Sequence, residues 1–347
     1  MIIANTAEVL TQAGNLHGSF IYKGDGFDLK ELEKQALESN NKWRDYYCDN
    51  TDGRNFDVTD DLKITYKTTD GKVRVADMTQ NAFYQLCTRI DTSVGYLTKC
   101  IDNGFLELAL MNFRAWADKF QGVLMIREQD GVVRGVMSDS YTPYDSARVI
   151  RTLRNTVDTN KYVLVGKYLT SDKMHLRFAE KNPLPVKKED SALFSGFTVR
   201  SSDVGLNALT MNYLLFRQVC SNGMIRKEGS GVLFKQAHVG DKIKEENIQR
   251  FNRSLLDAKA LDEKSVELIS HAQGRKLSES DVFRFLYDVK RDTKISKSAI
   301  EDLESRIKQY GNTHWGAINA LTELSQKYTL DQRIALEEYA GKKLGKL

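Results

Sequence analysis

Along the first half of the chain, short apolar runs alternate with polar residues and are broken by turn dipeptides. Leu29–Ser39 has amphipathic helical spacing. Leu62–Tyr66 and Val73–Ala76 flank Asp70-Gly71, which predicts a hairpin with a type I′ turn. Thr79 is placed to cap a helix running to Ile90, and Leu106, Leu110, Phe113, Ala117 and Phe120 predict a second over Asn103–Phe120. Val123–Arg127 and Val132–Met137 flank Asp130-Gly131, predicting another hairpin. Thr142-Pro143 reads as an N-cap followed by Pro at the first helical position, with a helix to about Val157. Tyr162–Leu169 and Met174–Glu180 form a third hairpin around Ser171-Asp172, a loop covers Asn182–Asp190, and Leu193–Arg200 is a further strand. Gly205–Cys220 is apolar around most of a helical circumference, which predicts a buried helix. Met224–Lys227 and Val232–Gln236 predict a last hairpin.

Past about Gly240 the period is helical throughout. The segments are Glu245–Lys259, Asp262–His271, Ser278–Arg291, Lys297–Tyr310, Trp315–Tyr328 and Leu330–Ala340, the last with a capping box of Thr329 and Gln332. The expected organisation is an N-terminal arm over 1–28, an α+β core over 29–240, and an all-helical region over 241–347. The core is expected to consist of antiparallel hairpins with packed helices, and residues 162–220 to read β-β-β-α.

Composition narrows the class. With 41% hydrophobic residues and only 3 prolines, the chain can bury a core and is not a disordered polymer. No apolar run is long enough to span a membrane, and the N-terminus carries no secretory pattern. Four scattered cysteines, Cys48, Cys87, Cys100 and Cys220, suit a reducing cytoplasm. Net charge is −5 over 1–109, +7 over 110–240 and +2 over 241–347, so the middle block is compatible with a polyanionic partner.

Catalytic signatures are missing. The chain has no phosphate-cradling Gly-x-x-x-x-Gly-Lys-Ser/Thr loop, no Gly-x-Gly-x-x-Gly and no paired His or Cys ligands. Cys220 follows an apolar stretch, where a thiol is usually a small core residue. The expectation is therefore a non-enzyme with no cofactor and no metal.

Strand alternation supplies a candidate site. If strands 162–200 pack through their apolar face on the expected helix 205–220, His175, Arg177, Thr198 and Arg200 share the other face, with Lys167 joining them only near a strand end or bulge. Such a basic face suits phosphate contact. Tyr141, Tyr144, Tyr162 and Tyr168 could stack on unpaired bases, the plain alternative being that the tyrosines are core.

Four stretches then carry a resemblance: NAFYQLCTRIDTSVGYLTKC at 81–100, RGVMSDSYTPY at 134–144, GFTVRSSDVGLNAL at 196–209 and RQVCSNGM at 217–224. Together they resemble the phage/plasmid-like protein family of domain of unknown function nine-three-two. The resemblance implies a protein of phages, prophages or plasmids, found near replication, recombination or anti-restriction functions, with no catalytic residues to carry over. Ser138 and Asp139 read as local backbone partners, and Asn222-Gly223 as a helix C-cap. The expected β-β-β-α order is also similar to the core of phage single-strand annealing proteins. Two functions are therefore expected. One is a nucleic-acid-binding recombination mediator that forms homo-oligomers and binds single-stranded DNA through Lys167, His175, Arg177, Arg200, Tyr141 and Tyr168. The other is a host-takeover or anti-defence factor that contacts a host or phage protein through its helical C-terminal region.

Overall fold

The computed structural model describes residues 21–22, 26–187, 192–217, 222–226, 232–239 and 245–346. Most of the expected arm, 1–28, and Cys220 lie outside these residues.

The smaller of two sheets has the order β2-β6-β7-β5-β4-β3. Its strands are β2 (Trp43–Asp49), β3 (Phe56–Val58), β4 (Ile64–Lys67), β5 (Val73–Met78), β6 (Val123–Gln129) and β7 (Val132–Ser138). All neighbours are antiparallel except β5 and β7, which run parallel. Asp130 and Gly131 both take positive φ, 52° and 78°, the type I′ geometry. At Asp70-Gly71 only Gly71 does, at 84°, so that turn is not the expected type I′.

Helices α2 (Gln80–Arg89), α3 (Val94–Asp102) and α4 (Leu106–Ala117) cover one face of this sheet through Phe83, Leu86, Leu97, Leu110 and Phe113. The Thr79 hydroxyl caps α2 as expected, accepting from Ala82 N. The expected helix over 103–120 begins only at Leu106, because Gly104 at φ 82° separates it from α3.

The larger sheet has the order β1-β8-β9-β10-β11-β12, and β13 also pairs with β11. Its strands are β1 (Ile21–Tyr22), β8 (Tyr162–Leu169), β9 (Met174–Glu180), β10 (Leu193–Ser201), β11 (Leu209–Arg217), β12 (Asn222–Arg226) and β13 (Val232–Gln236). Here the sequence expectation fails at one element. The segment expected as a helix over 205–220 contains the interior strand β11, paired antiparallel with β10 from Thr210↔Arg200 to Arg217↔Leu193. A strand buried on both faces loses its alternation and reads like a buried helix. Three readings fall with it: residues 162–217 read as four strands rather than β-β-β-α, β12 and β13 both pair with β11 rather than with each other, and Asn222-Gly223 opens β12 instead of capping a helix.

Helices α1 (Leu29–Asn40) and α5 (Ser146–Thr156) pack on one face of the larger sheet through Leu32, Ala36, Ile150 and Leu153. Helix α5 starts at Ser146 with Asp145 as N-cap, three residues later than Thr142-Pro143 suggested.

The C-terminal region is helical as expected: α6 (Glu245–Gly274), α7 (Glu279–Thr293), α8 (Lys297–Gln309), α9 (His314–Ser325) and α10 (Leu330–Gly345). The two helices expected over 245–271 are one continuous α6. Thr329 makes no side-chain cap bond; its hydroxyl donates to Gln332 Oε1 instead, 3.1 Å away. Leu330 and Ile334 of α10 pack on Val165, Ala179, Leu214 and Ile225 of the larger sheet. The architecture is α+β throughout. No helix among the described residues is long and apolar enough to cross a membrane.

Candidate functional site

The expected basic face exists as a face but is covered. Strand pairing places Arg177 opposite Thr198 and His175 opposite Arg200, as alternation implied. Helix α10 lies over them, and His175, Arg177 and Thr198 are buried, Arg177 completely. Arg177 Nη1 donates to Glu337 Oε1 at 3.0 Å, and its Nη2 contacts the other carboxylate oxygen. Arg333 Nε donates to the same Glu337 at 3.0 Å. Arg200 Nη1 donates to Glu338 at 2.9 Å, and Lys173 Nζ to Asp331 at 2.8 Å. Acidic side chains of α10 thus meet these cations where phosphates were expected.

The remaining candidates do not join such a face. A bulge at Leu164/Gly166 turns Lys167 to the side of Leu176, where its Nζ sits 5.1 Å above the Phe27 ring. Tyr168 packs beside the apolar contacts of α10. Tyr141 is buried, stacked on His238 at 5.5 Å, and its hydroxyl donates to Ser202 O. Tyr144 and Tyr162 are core residues as well.

A different set of polar residues converges where the two sheets meet. Strand alternation puts Arg127 with Met125 on the face opposite Leu124 and Ile126, outside the helix-covered core of the smaller sheet. Its guanidinium, 2% exposed, binds Asp145 at 2.6 and 3.0 Å, lies 3.0 Å from Asp45, and donates to Asp203 O at 2.6 Å. The Asp203 carboxylate in turn accepts from Ser146 N at 2.9 Å and Ser146 Oγ at 2.6 Å. Arg134 faces Asp172 at 3.7 Å.

Carboxylates outnumber arginines in this junction, and burial disfavours their charged form. Burial, reinforced by repulsion from Asp145, pushes the Asp203 carboxyl up to about 7, against the lowering effect of Ser146 and Arg127. Burial also raises Asp172 and Asp45. Asp203 is only 2% exposed, so its carboxyl supports structure rather than meeting a substrate.

The junction opens onto a cleft of about 720 Å³ between α1 and α5. Its walls combine apolar Leu37, Pro143 and Ala147 with Asn40, Asn41, Asn155, Thr152, Thr156, Asp145, Arg148 and Arg151. With its amide turned to satisfy its neighbours, Asn40 donates to Ala36 O and to Asp203 Oδ2, tying the cleft to the junction. Arg151 pairs with Glu33 at 2.8 Å. Arg148 is exposed, lies 4.7 Å above the Tyr144 ring and has no carboxylate partner among the described residues.

The Ser-Asp-x-Tyr-x-Pro-Tyr and Ser-Ser-Asp-Val stretches, far apart in the chain, are neighbours here. Gly135 permits their approach: a Cβ there would lie 3.0 Å from Val204 Cβ and 2.9 Å from Met137 Sδ. The model of a family described as domain of unknown function (DUF932) matches residues 133–340. The chain belongs to the DUF932 family. The DUF932 match takes in α5, most of the cleft lining, the larger sheet except β1, and α10 to Ala340, whereas Asp45 and Arg127 precede it. No curated protein and no solved structure matches the chain.

Sequence reasoning missed Arg127, Asp145 and Asp203 because 18 and 76 residues separate the arginine from its two partners. The one available signal was Asp145 directly after the Thr-Pro-Tyr stretch, at the start of a helical run. Among the described residues no group of three or more His, Cys, Asp or Glu side chains is placed to hold a metal. The Cys48 and Cys87 thiols are pushed up by burial to about 11 and about 12, which makes them poor nucleophiles.

Proposed function

We propose that this protein binds nucleic acid, with single-stranded DNA as the expected form, and that the α1–α5 cleft holds the strand. The observation that carries the reading is Arg148: exposed, on the cleft wall and unanswered by any carboxylate among the described residues. The amide and hydroxyl side chains beside it are of the types that contact phosphate and sugar. The covered sheet face, by contrast, has its cations neutralised by α10. Within the family resemblance, such binding fits a mediator of recombination in the cytoplasm of a host cell.

Fluorescence anisotropy with a labelled single-stranded oligonucleotide tests this reading. Arg148→Glu should abolish binding that the parent shows at low salt. A parent that does not bind at low salt sinks the reading.

A second reading, contact with a protein or with another copy of the chain, is favoured by a different surface. Leu108, Met111 and Ala115 share one exposed face of α4, with Trp116 beside them and Phe105 at its start. Exposed apolar patches of this kind mark association sites. Sedimentation of the parent against Met111→Glu tests it, an unchanged monomer in both counting against it.

A further inference from the structure

We infer that the α1–α5 cleft seats one unpaired nucleotide, base and phosphate together, rather than a stretch of backbone alone. The inference rests on the nucleic-acid reading and sharpens it. A pure phosphate track needs only cations and N–H donors. This cleft offers three distinct chemistries within about 720 Å³. Arg148, with no carboxylate partner among the described residues, suits a phosphate, whereas Arg151 is held by Glu33 at 2.8 Å. Leu37, Pro143 and Ala147 supply an apolar wall for the face of a base. Asn41 and Asn155 each present a donor and an acceptor, the pattern that matches the hydrogen-bonding edge of a base. Asn40 is committed to Ala36 and Asp203, so it shapes the cleft.

Size argues the same way. Clefts of about 300–1,000 Å³ take small molecules, and this one lies inside that range. In a duplex the base faces are stacked and the pairing edges occupied, so neither the apolar wall nor the amides would find a partner. An unpaired nucleotide satisfies both. The expected specificity is therefore for single strands over duplex, with an amide-dependent component on top of the salt-dependent one.

The test is calorimetric titration of the full chain with a 5′-deoxynucleoside monophosphate and, separately, with inorganic phosphate. Asn155 is exposed, so Asn155→Ala should keep the fold. The expected result is mononucleotide binding that weakens at least tenfold in Asn155→Ala, while phosphate binding is unchanged and Arg148→Ala weakens both. If mononucleotide and phosphate bind alike and Asn155→Ala changes neither, the nucleotide inference is overturned. Oligonucleotide binding that still depends on Arg148 would leave the nucleic-acid reading standing in that case. Loss of oligonucleotide binding altogether would remove both.

Discussion

Two basic regions of this protein make opposite use of their arginines. Under α10, Arg177 is wholly buried and gripped by Glu337, and Arg200 is held by Glu338. On the cleft, Arg148 is exposed with only an aromatic ring beneath it. A buried cation must be paired to be tolerated, and once paired it has no spare charge for a ligand. An exposed, unpaired arginine costs little to keep and is free to release counterions on binding a polyanion. Nor is α10 a removable cover. It buries Leu330, Ile334, Leu336, Tyr339 and Leu344, and large apolar side chains of this kind contribute about 1.5–3 kcal/mol each.

The sharpest way to break the contrast is Glu337→Ala. It takes from the buried Arg177 the carboxylate that grips it and should cost about 3–5 kcal/mol in urea unfolding. A loss below about 1 kcal/mol would mean that the pair is not a structural clip. Gly196→Ala probes the same face more gently. A Cβ there would lie 1.9 Å from Phe178 O, across the β9–β10 pairing, so a loss of about 1–3 kcal/mol is expected.

Asp203 gives the contrast a pH signature. Its carboxyl is raised to about 7, so between roughly pH 4 and 7 the native state keeps a proton that the unfolded chain has released. Its contribution to stability is therefore present below this window and lost as pH rises through it. Asp172 and Asp45 are raised too, so they act with the same sign. Asp203→Asn should flatten the fall in melting temperature between pH 5 and 7, and an unchanged slope would contradict the assignment. Smallest of all should be the effect of Arg148→Ala on stability, within about 1 kcal/mol, because only the contact of an exposed guanidinium with the Tyr144 ring is lost.

Much of this molecule is legible in its sequence where local chemistry decides. Asp130-Gly131 and Ser171-Asp172 mark real hairpins, and Thr79 caps the helix expected of it. Alternation even puts His175, Arg177, Thr198 and Arg200 on one face, as their pairing confirms. Alternation does not say what covers a face. Glu337 lies 160 residues beyond Arg177, and nothing in strands 162–200 announces it. The Leu209–Arg217 run fails for a related reason: with both faces buried, only its pairing partners show that it is a strand. The cleft was invisible because α1 and α5 meet only in the fold, joined at Glu33–Arg151 across 118 residues.

The most direct measurement compares the salt dependence of single-stranded oligonucleotide binding in the parent, Arg148→Ala and Arg200→Ala. Removing a cation that touches phosphate should reduce the slope of log affinity against log salt by about 0.7 for a single strand. The account predicts that reduction in Arg148→Ala and a parent-like slope in folded Arg200→Ala. A parent-like slope in Arg148→Ala together with a reduced slope in Arg200→Ala would contradict it, returning the binding surface to the sheet beneath α10.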